Sequence, residues 1–362
     1  MSFLLLLHTG VLLILGGNLV YFARRRGDRA PLPDAPPRLS VLVPARNEED
    51  NLERLIPSLL FQDYPDAEFI VVDDASTDGT RAVLERFAVR DERLVVVAGS
   101  GPPPGWVGKV HALYQATRRA SGQTYLFLDA DAALTDPAAL RRLAERFAAC
   151  GPNAALTGLP RYLDRGGAAV LTSLVPFAIL AALPLPLVPR TRAPGLGALN
   201  GQVWMIGADD YRRLEPHAAH PGEVLEDVMI GRFLKRQGMR LHLIDLSGEL
   251  AVRMYGSFGE AWQGFRKNAY LLAGGGRVLP FLLFFALYTA VWVVAPWMGW
   301  PLLATTYAVK GIIDAWGRMP PWVTLLAPVS LALGALLQLD SALAHARGTV
   351  AWKGRRVGAR RD

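Results

Sequence analysis

The first 23 residues of the chain contain no Asp, Glu, Lys or Arg, and Arg24, Arg25, Arg26 and Arg29 follow at once. Phe3 to Phe22 is long enough to cross a bilayer core, which takes about 20 apolar residues. Lipid cannot hydrogen-bond a peptide group, so such a stretch has to be helical. A secretory signal would carry its positive charges ahead of the apolar run and a small-residue cleavage site behind it. The reversed order reads as an uncleaved anchor over 1–23, with the chain beyond it cytoplasmic by the positive-inside rule.

Further uncharged stretches extend this pattern. No charge occurs in the 32 residues between Arg277 and Lys310, nor between Arg318 and Asp340. Pro296 and Pro301 divide the first stretch into a hairpin of helices, and Trp322 to Leu339 fits one more. Two or three spans are thus expected over 278–343. Trp292, Trp297, Trp300 and Trp322 are expected at the interfaces, and a basic cytoplasmic tail over 344–362, with Lys353, Arg355, Arg356, Arg360 and Arg361, favours an even number. Gly166 to Pro189 is also uncharged, but Pro176, Pro184, Pro186 and Pro189 interrupt it. A helix broken by prolines suits an interfacial or partly inserted position better than a span.

The remainder, 38–277, is polar enough to face water and follows a basic, Pro-rich linker over 24–37. Of the 362 residues 51% are hydrophobic and 20% charged, which excludes disorder. The single cysteine, Cys150, rules out an internal disulfide and a cysteine-rich metal site. The net charge of +7 is concentrated at the membrane edges rather than interleaved with aromatics, which argues against nucleic acid as a partner. The six histidines lack zinc-site spacing, and neither a P-loop nor a dinucleotide fingerprint occurs.

Short apolar runs alternate with helical periodicity along this block. Leu39–Val43, Glu68–Val72, Leu94–Ala98 and Tyr125–Leu128 read as strands, the first ended by Pro44. Residues 51–60, 80–89 and 109–119 read as helices. The alternation implies an α/β domain with a mostly parallel sheet covered on both faces, whose working groups lie beyond the carboxyl ends of the strands.

Three such ends are polar or acidic: Pro44-Ala-Arg-Asn-Glu-Glu49, Asp73-Asp74-Ala-Ser-Thr-Asp78 and Asp129-Ala-Asp131. In a parallel sheet they converge on one rim. Carboxylates gathered there repel unless a cation or hydrogen-bond donors lie between them. Asp129 and Asp131 offer two hard oxygen ligands, which suit Mg²⁺ or Mn²⁺, and such an ion completes its shell with substrate phosphates.

Taken together, these motifs resemble those of the family 2 glycosyltransferases, which have the GT-A fold. Gly105-Trp-Val-Gly-Lys109-Val-His-Ala112 and Trp352-Lys-Gly-Arg355 resemble the membrane-anchored subgroup that glycosylates carotenoids or hopanoids. The resemblance implies donor-binding roles for Pro44, Arg46, Glu48, Asp73, Asp74, Lys109, Asp129 and Arg266. It implies metal ligation by Asp129 and Asp131, and a catalytic Glu226-Asp227 pair with Asp227 as general base. The implied reaction moves a hexose from a UDP-sugar to a lipid hydroxyl with inversion, in an integral protein of the cell membrane. Processive relatives carry Gln-x-x-Arg-Trp, whereas Gln263-x-x-Arg266 is followed here by Lys267. A processive polysaccharide synthase and a non-catalytic nucleotide-binding scaffold are the alternative readings.

Overall fold

The computed structural model describes residues 2–197, 199–353 and 355–356. Gly354, Arg360 and Arg361, part of the expected C-terminal motif and tail, lie outside the described residues. The chain divides into two units, one formed by 22–161 with 186–252 and the other by 1–21, 162–185 and 253–362. The water-facing block expected over 38–277 thus contributes 162–185 and 253–277 to the second unit.

The first unit is built on a seven-stranded sheet. Its strands in chain order are β1 (Leu39–Ala45), β2 (Ala67–Asp73), β3 (Leu94–Ala98), β4 (Thr124–Leu128), β5 (Ala154–Leu159), β6 (Val203–Gly207) and β7 (Arg240–Asp245). Their spatial order is β3-β2-β1-β4-β6-β5-β7. Strands β1 to β4 pair in parallel, as do β5 and β7, while β6 runs antiparallel between β4 and β5. Every residue of β2 and β4 is buried, as helices on both faces require. Each enclosed Val, Ile or Leu contributes about 1.5–3 kcal/mol. The helix Glu49–Leu60 buries Leu52, Leu55, Ile56 and Leu59, the stripe its spacing predicts, while Leu60 is half-buried. Pro44 lies inside β1, opposite Val72, and the strand ends one residue later.

The two ends of this sheet treat acids differently. At the amino-terminal end, burial works against the Glu68 carboxylate. Ser40, both the backbone and hydroxyl of Ser121, and Arg38 donate to it and hold its pKa below the usual range. That acid is structural. The carboxyl end, where β1, β2 and β4 all point, gathers the acids of the candidate site.

The second unit is helical. Ser2–Arg25, Val278–Met298 and Ala327–Ala346 are each long and apolar enough to cross a membrane. A further helix, Trp300–Trp316, follows the break at Gly299, and a short one, Pro321–Leu325, precedes Ala327. The uncharged stretch at 166 folds as two short helices, Gly166–Thr172 and Leu174–Ala182, with no single helix of spanning length. Asn18 clamps the second of them: its amide donates to the carbonyls of Leu180 and Leu183, and its oxygen accepts from Leu185 N–H. Trp297 and Trp300 are exposed as an interfacial role requires. Trp292 is not interfacial, because it is buried edge-on against His8 and Phe177.

Candidate active site

The site begins where β2 leaves the sheet. Asp73 is the last residue of β2 and pairs in register with Ala45 of β1, whose carbonyl accepts from Asp74 N–H at 2.7 Å. Asp73 Oδ1 accepts from Ser76 N–H at 3.0 Å, closing a turn in which Ala75 takes the left-handed φ of +54°. Few non-glycine residues adopt that conformation, so the turn must be held from outside. Arg46 does so, donating from Nη1 to the carbonyls of Asp74 and Ala75 at 2.7 and 2.8 Å. Asn47 N–H donates to Ser76 Oγ at 2.9 Å, and Thr77 N–H donates to Asn47 Oδ1 at 2.8 Å. Glu48 stays on its own loop, accepting from Asn51 Nδ2, while its N–H donates to Thr80 Oγ1. Asp73 and Asp74 are both buried. Asp78, the last acid of that motif, accepts from Thr80 N–H at 3.0 Å at the start of the helix Thr80–Ala88.

Asp129 follows β4 on the same edge of the sheet, one strand away from β2. Its N–H donates to the carbonyl of Gln202 at 3.1 Å. Lys109, the second residue of the helix Gly108–Arg119, reaches across to it, with Nζ 2.8 Å from Oδ1 and 2.9 Å from Oδ2. The same ammonium lies 2.9 Å from Glu226 Oε1. Burial would lower the Lys109 pKa, but Asp129 and Glu226 raise it well above the ordinary lysine value. Lys109 is thus a fixed cation at 31% exposure, facing a Glu226 that is almost fully enclosed.

Glu226 and Asp227 open the helix Glu226–Arg236, where the dipole favours negative charge. Asp227 is held at both oxygens: Oδ1 accepts from Val228 N–H at 2.8 Å and Oδ2 from Gly201 N–H at 2.9 Å. Burial and the neighbouring Glu226 push its pKa up from 3.8 to about 6, against the pull of Lys109 and the two N–H donors. It is therefore ionised at neutral pH yet close to its protonated form, as a general base requires.

Gly201 is the functional residue the sequence reading missed. A Cβ there would lie 3.0 Å from Asp227 Oδ2 and 3.2 Å from Lys109 Nζ, so only glycine brings a backbone N–H against the carboxylate without intruding on it. Its sequence signal is a bare Asn200-Gly201, which reads as a turn. The loop is seated by a second close approach, in which a Cβ on Gly197 would meet the Gly231 carbonyl at 2.7 Å.

The structure therefore brings Lys109, Asp129, Glu226 and Asp227 together, with Asp73 and Asp74 on the same sheet edge and Asp131 two residues past Asp129. Arg266 belongs to the other unit, where its Nε lies 3.1 Å from Asp340 and Trp262 Nε1 donates to the same carboxylate. Among the described residues no three His, Cys, Asp or Glu side chains are placed to hold an ion unaided. The donor set still fits Mg²⁺ or Mn²⁺, since Asp129 and Asp131 supply hard oxygens and a diphosphate would supply the rest.

Residues 40–209 match Glycosyl transferase family 2. The 4,4'-diaponeurosporenoate glycosyltransferase of Staphylococcus aureus (strain MRSA252) is 25% identical over 246 residues, 66% of this chain and 62% of that protein. The chain thus spans 62% of the length of the curated relatives it matches. The mannosyltransferase PcManGT from Pyrobaculum calidifontis, solved in complex with GDP-Man and Mn²⁺, superposes with a TM-score of 0.55 at 21% identity, covering 94% of this chain and 98% of that one. The fold is GT-A, and residues 40–209 match the Glycosyl transferase family 2 domain.

Proposed function

We propose that this chain is a family 2 glycosyltransferase that moves a hexose from a UDP-sugar to the hydroxyl of a membrane lipid of carotenoid or hopanoid type, with inversion at the sugar carbon. The observation that carries the reading is the Asp227 carboxylate, fixed at both oxygens and raised to about 6, on the same rim as Asp129 and Lys109. An alcohol holds its proton far above neutral pH, so attack needs a base at that oxygen. Asp227 takes the proton as the hydroxyl oxygen bonds to the sugar carbon, and the bond from that carbon to the diphosphate breaks on the opposite face. One base suffices for this displacement, without a carboxylate nucleophile or a covalent enzyme intermediate.

Asp73 and Asp74 would accept hydrogen bonds from the uracil and ribose, the turn that presents them being fixed by Arg46. Pro44 and Glu48 shape the adjoining loop. A divalent ion held by Asp129 and Asp131 would neutralise the departing diphosphate. The lipid acceptor is inferred from three helices of spanning length and from the likeness to a carotenoid glycosyltransferase. The same features support a membrane protein, and the cluster Arg24, Arg25, Arg26 and Arg29 after the first apolar stretch supports a cytoplasmic sheet unit.

The test uses the full chain in detergent with radiolabelled UDP-hexoses, GDP-mannose as rival donor, and a panel of carotenoid and hopanoid alcohols. A glycolipid of inverted anomeric configuration, formed from a UDP-sugar and lost in Asp227→Asn, is the expected result. Transfer that survives this substitution, or equal use of water-soluble acceptors, would overturn the proposal.

A further inference from the structure

We propose that Lys109 is the resident cation of the free site: held between Asp129 and Glu226, it keeps a divalent ion out until a nucleoside diphosphate draws it away, so that ion and nucleotide enter together. This inference rests on the nucleotide-sugar reading above and adds the order of events to it.

The geometry is specific. The ammonium contacts both oxygens of Asp129, at 2.8 and 2.9 Å, and Glu226 Oε1 at 2.9 Å. These are distances of charge-assisted hydrogen bonds. Asp129 is one of the two carboxylates that would bind the ion, so ammonium and ion compete for the same oxygens. Glu226 is 9% exposed and needs a positive partner wherever Lys109 goes. Gly201 leaves room for the lysine tip, since a Cβ there would stand 3.2 Å from Nζ. The Lys109 turn is itself anchored, with Val107 N–H donating to the Pro221 carbonyl at 2.8 Å.

Once a diphosphate arrives, its oxygens offer the ammonium a second set of acceptors and give the ion the ligands that two aspartates cannot. Both changes favour the ion. By linkage, the factor by which the nucleotide tightens the ion equals the factor by which the ion tightens the nucleotide.

The experiment titrates Mn²⁺ into the full chain in detergent micelles, reading free Mn²⁺ by electron paramagnetic resonance with and without UDP. Wild type is expected to bind Mn²⁺ at least tenfold more weakly without UDP than with it. Lys109→Met, tested without UDP, should bind Mn²⁺ at least tenfold more tightly than wild type. That gain is opposite in sign to the loss expected of a merely structural residue. Lys109→Arg keeps the cation and should remain within threefold of wild type. If wild type binds UDP with Mn²⁺ but the Met variant gains no affinity for the ion, the resident-cation inference fails and the functional proposal stands. Equal Mn²⁺ affinity with and without UDP in wild type overturns the inference without recourse to any variant. If neither UDP nor GDP binds in the presence of Mn²⁺, the functional proposal fails and this inference falls with it.

Discussion

Replacing Asp227 by Asn separates activity from stability in a way that few other readings of this site would. The carboxylate and the amide have nearly the same shape, so the helix start and the Gly201 loop should persist. Removing the base is expected to lower kcat by about 10²- to 10⁴-fold. Stability should respond with pH. The Asp227 pKa stands at about 6 in the folded protein against the usual 3.8, because burial and Glu226 oppose its charge. A group whose pKa is raised on folding stabilises the fold below its unfolded value and loses that contribution as pH rises through the folded value. At 1.36 kcal/mol per pH unit, this rise is worth about 3 kcal/mol as an upper limit.

Asparagine does not titrate, so it escapes the loss between pH 4 and 7. It does lose one of the two N–H bonds, at 2.8 and 2.9 Å, because its amide nitrogen cannot accept. Against the protonated carboxyl near pH 4, that leaves a buried donor unpaired and costs about 1–3 kcal/mol. The variant should therefore be less stable than wild type near pH 4 and should draw level with it near pH 7. For a unit of about 200 residues, the difference in Tm should close by roughly 6–10 °C over that range. Intrinsic-fluorescence melting of both proteins in the same detergent at pH 4, 5, 6 and 7 reads this directly. A Tm difference that stays constant with pH, or a variant retaining more than about a tenth of wild-type turnover, would refute the account of Asp227 as a raised-pKa base.

Three further outcomes follow from the same geometry. In the wild-type pH profile, kcat/KM should fall tenfold per pH unit below about 6 as Asp227 becomes protonated, a limb measurable at subsaturating acceptor. Gly201→Ala puts a methyl 3.0 Å from Asp227 Oδ2, so kcat should drop about 10- to 100-fold while UDP affinity changes by less than about threefold, as kinetics and calorimetry would read. Chelation with EDTA should abolish transfer and added Mn²⁺ or Mg²⁺ restore it, whereas Asp131→Asn should raise the metal concentration needed for half-maximal rate by about tenfold or more.

The parts legible in the sequence were those governed by local periodicity. The strands β1 to β4 and the helices between them repeat a pattern of apolar runs and stripes, and parallel pairing then fixes which strand ends share an edge. Asp73, Asp74 and Asp129 could be placed on one rim for that reason alone. The antiparallel β6 was not legible, because nothing in Val203–Gly207 distinguishes a reversed strand from a parallel one. Its direction matters, since it sets Gln202 beside Asp129 and, through Gly201, brings a backbone donor to Asp227. The Lys109 contacts were hidden for a related reason. A lone lysine after a glycine turn says nothing about carboxylates 20 residues and more than 100 residues away until the sheet closes.

The charge census at the C-terminal end met a different limit. Counting uncharged residues treats Lys310 as the end of a stretch, yet it lies inside the helix Trp300–Trp316, fully buried with Asp314 one turn on. Lys310 Nζ also donates to Ser173 Oγ at 3.0 Å, and Thr324 Oγ1 donates to Asp314 Oδ2 at 2.9 Å. A charge in an apolar helix is costly alone, but an i, i+4 pair with polar neighbours is neutral and satisfied. A residue-by-residue sum cannot see that neutrality. The same cancellation operates at Lys109 and Glu226, with one difference. There the pair sits at a rim that is open enough for another ligand to compete, whereas Lys310 and Asp314 have no exposure to any competitor. A lysine pair of one kind locks a helix in place, and a pair of the other kind can exchange.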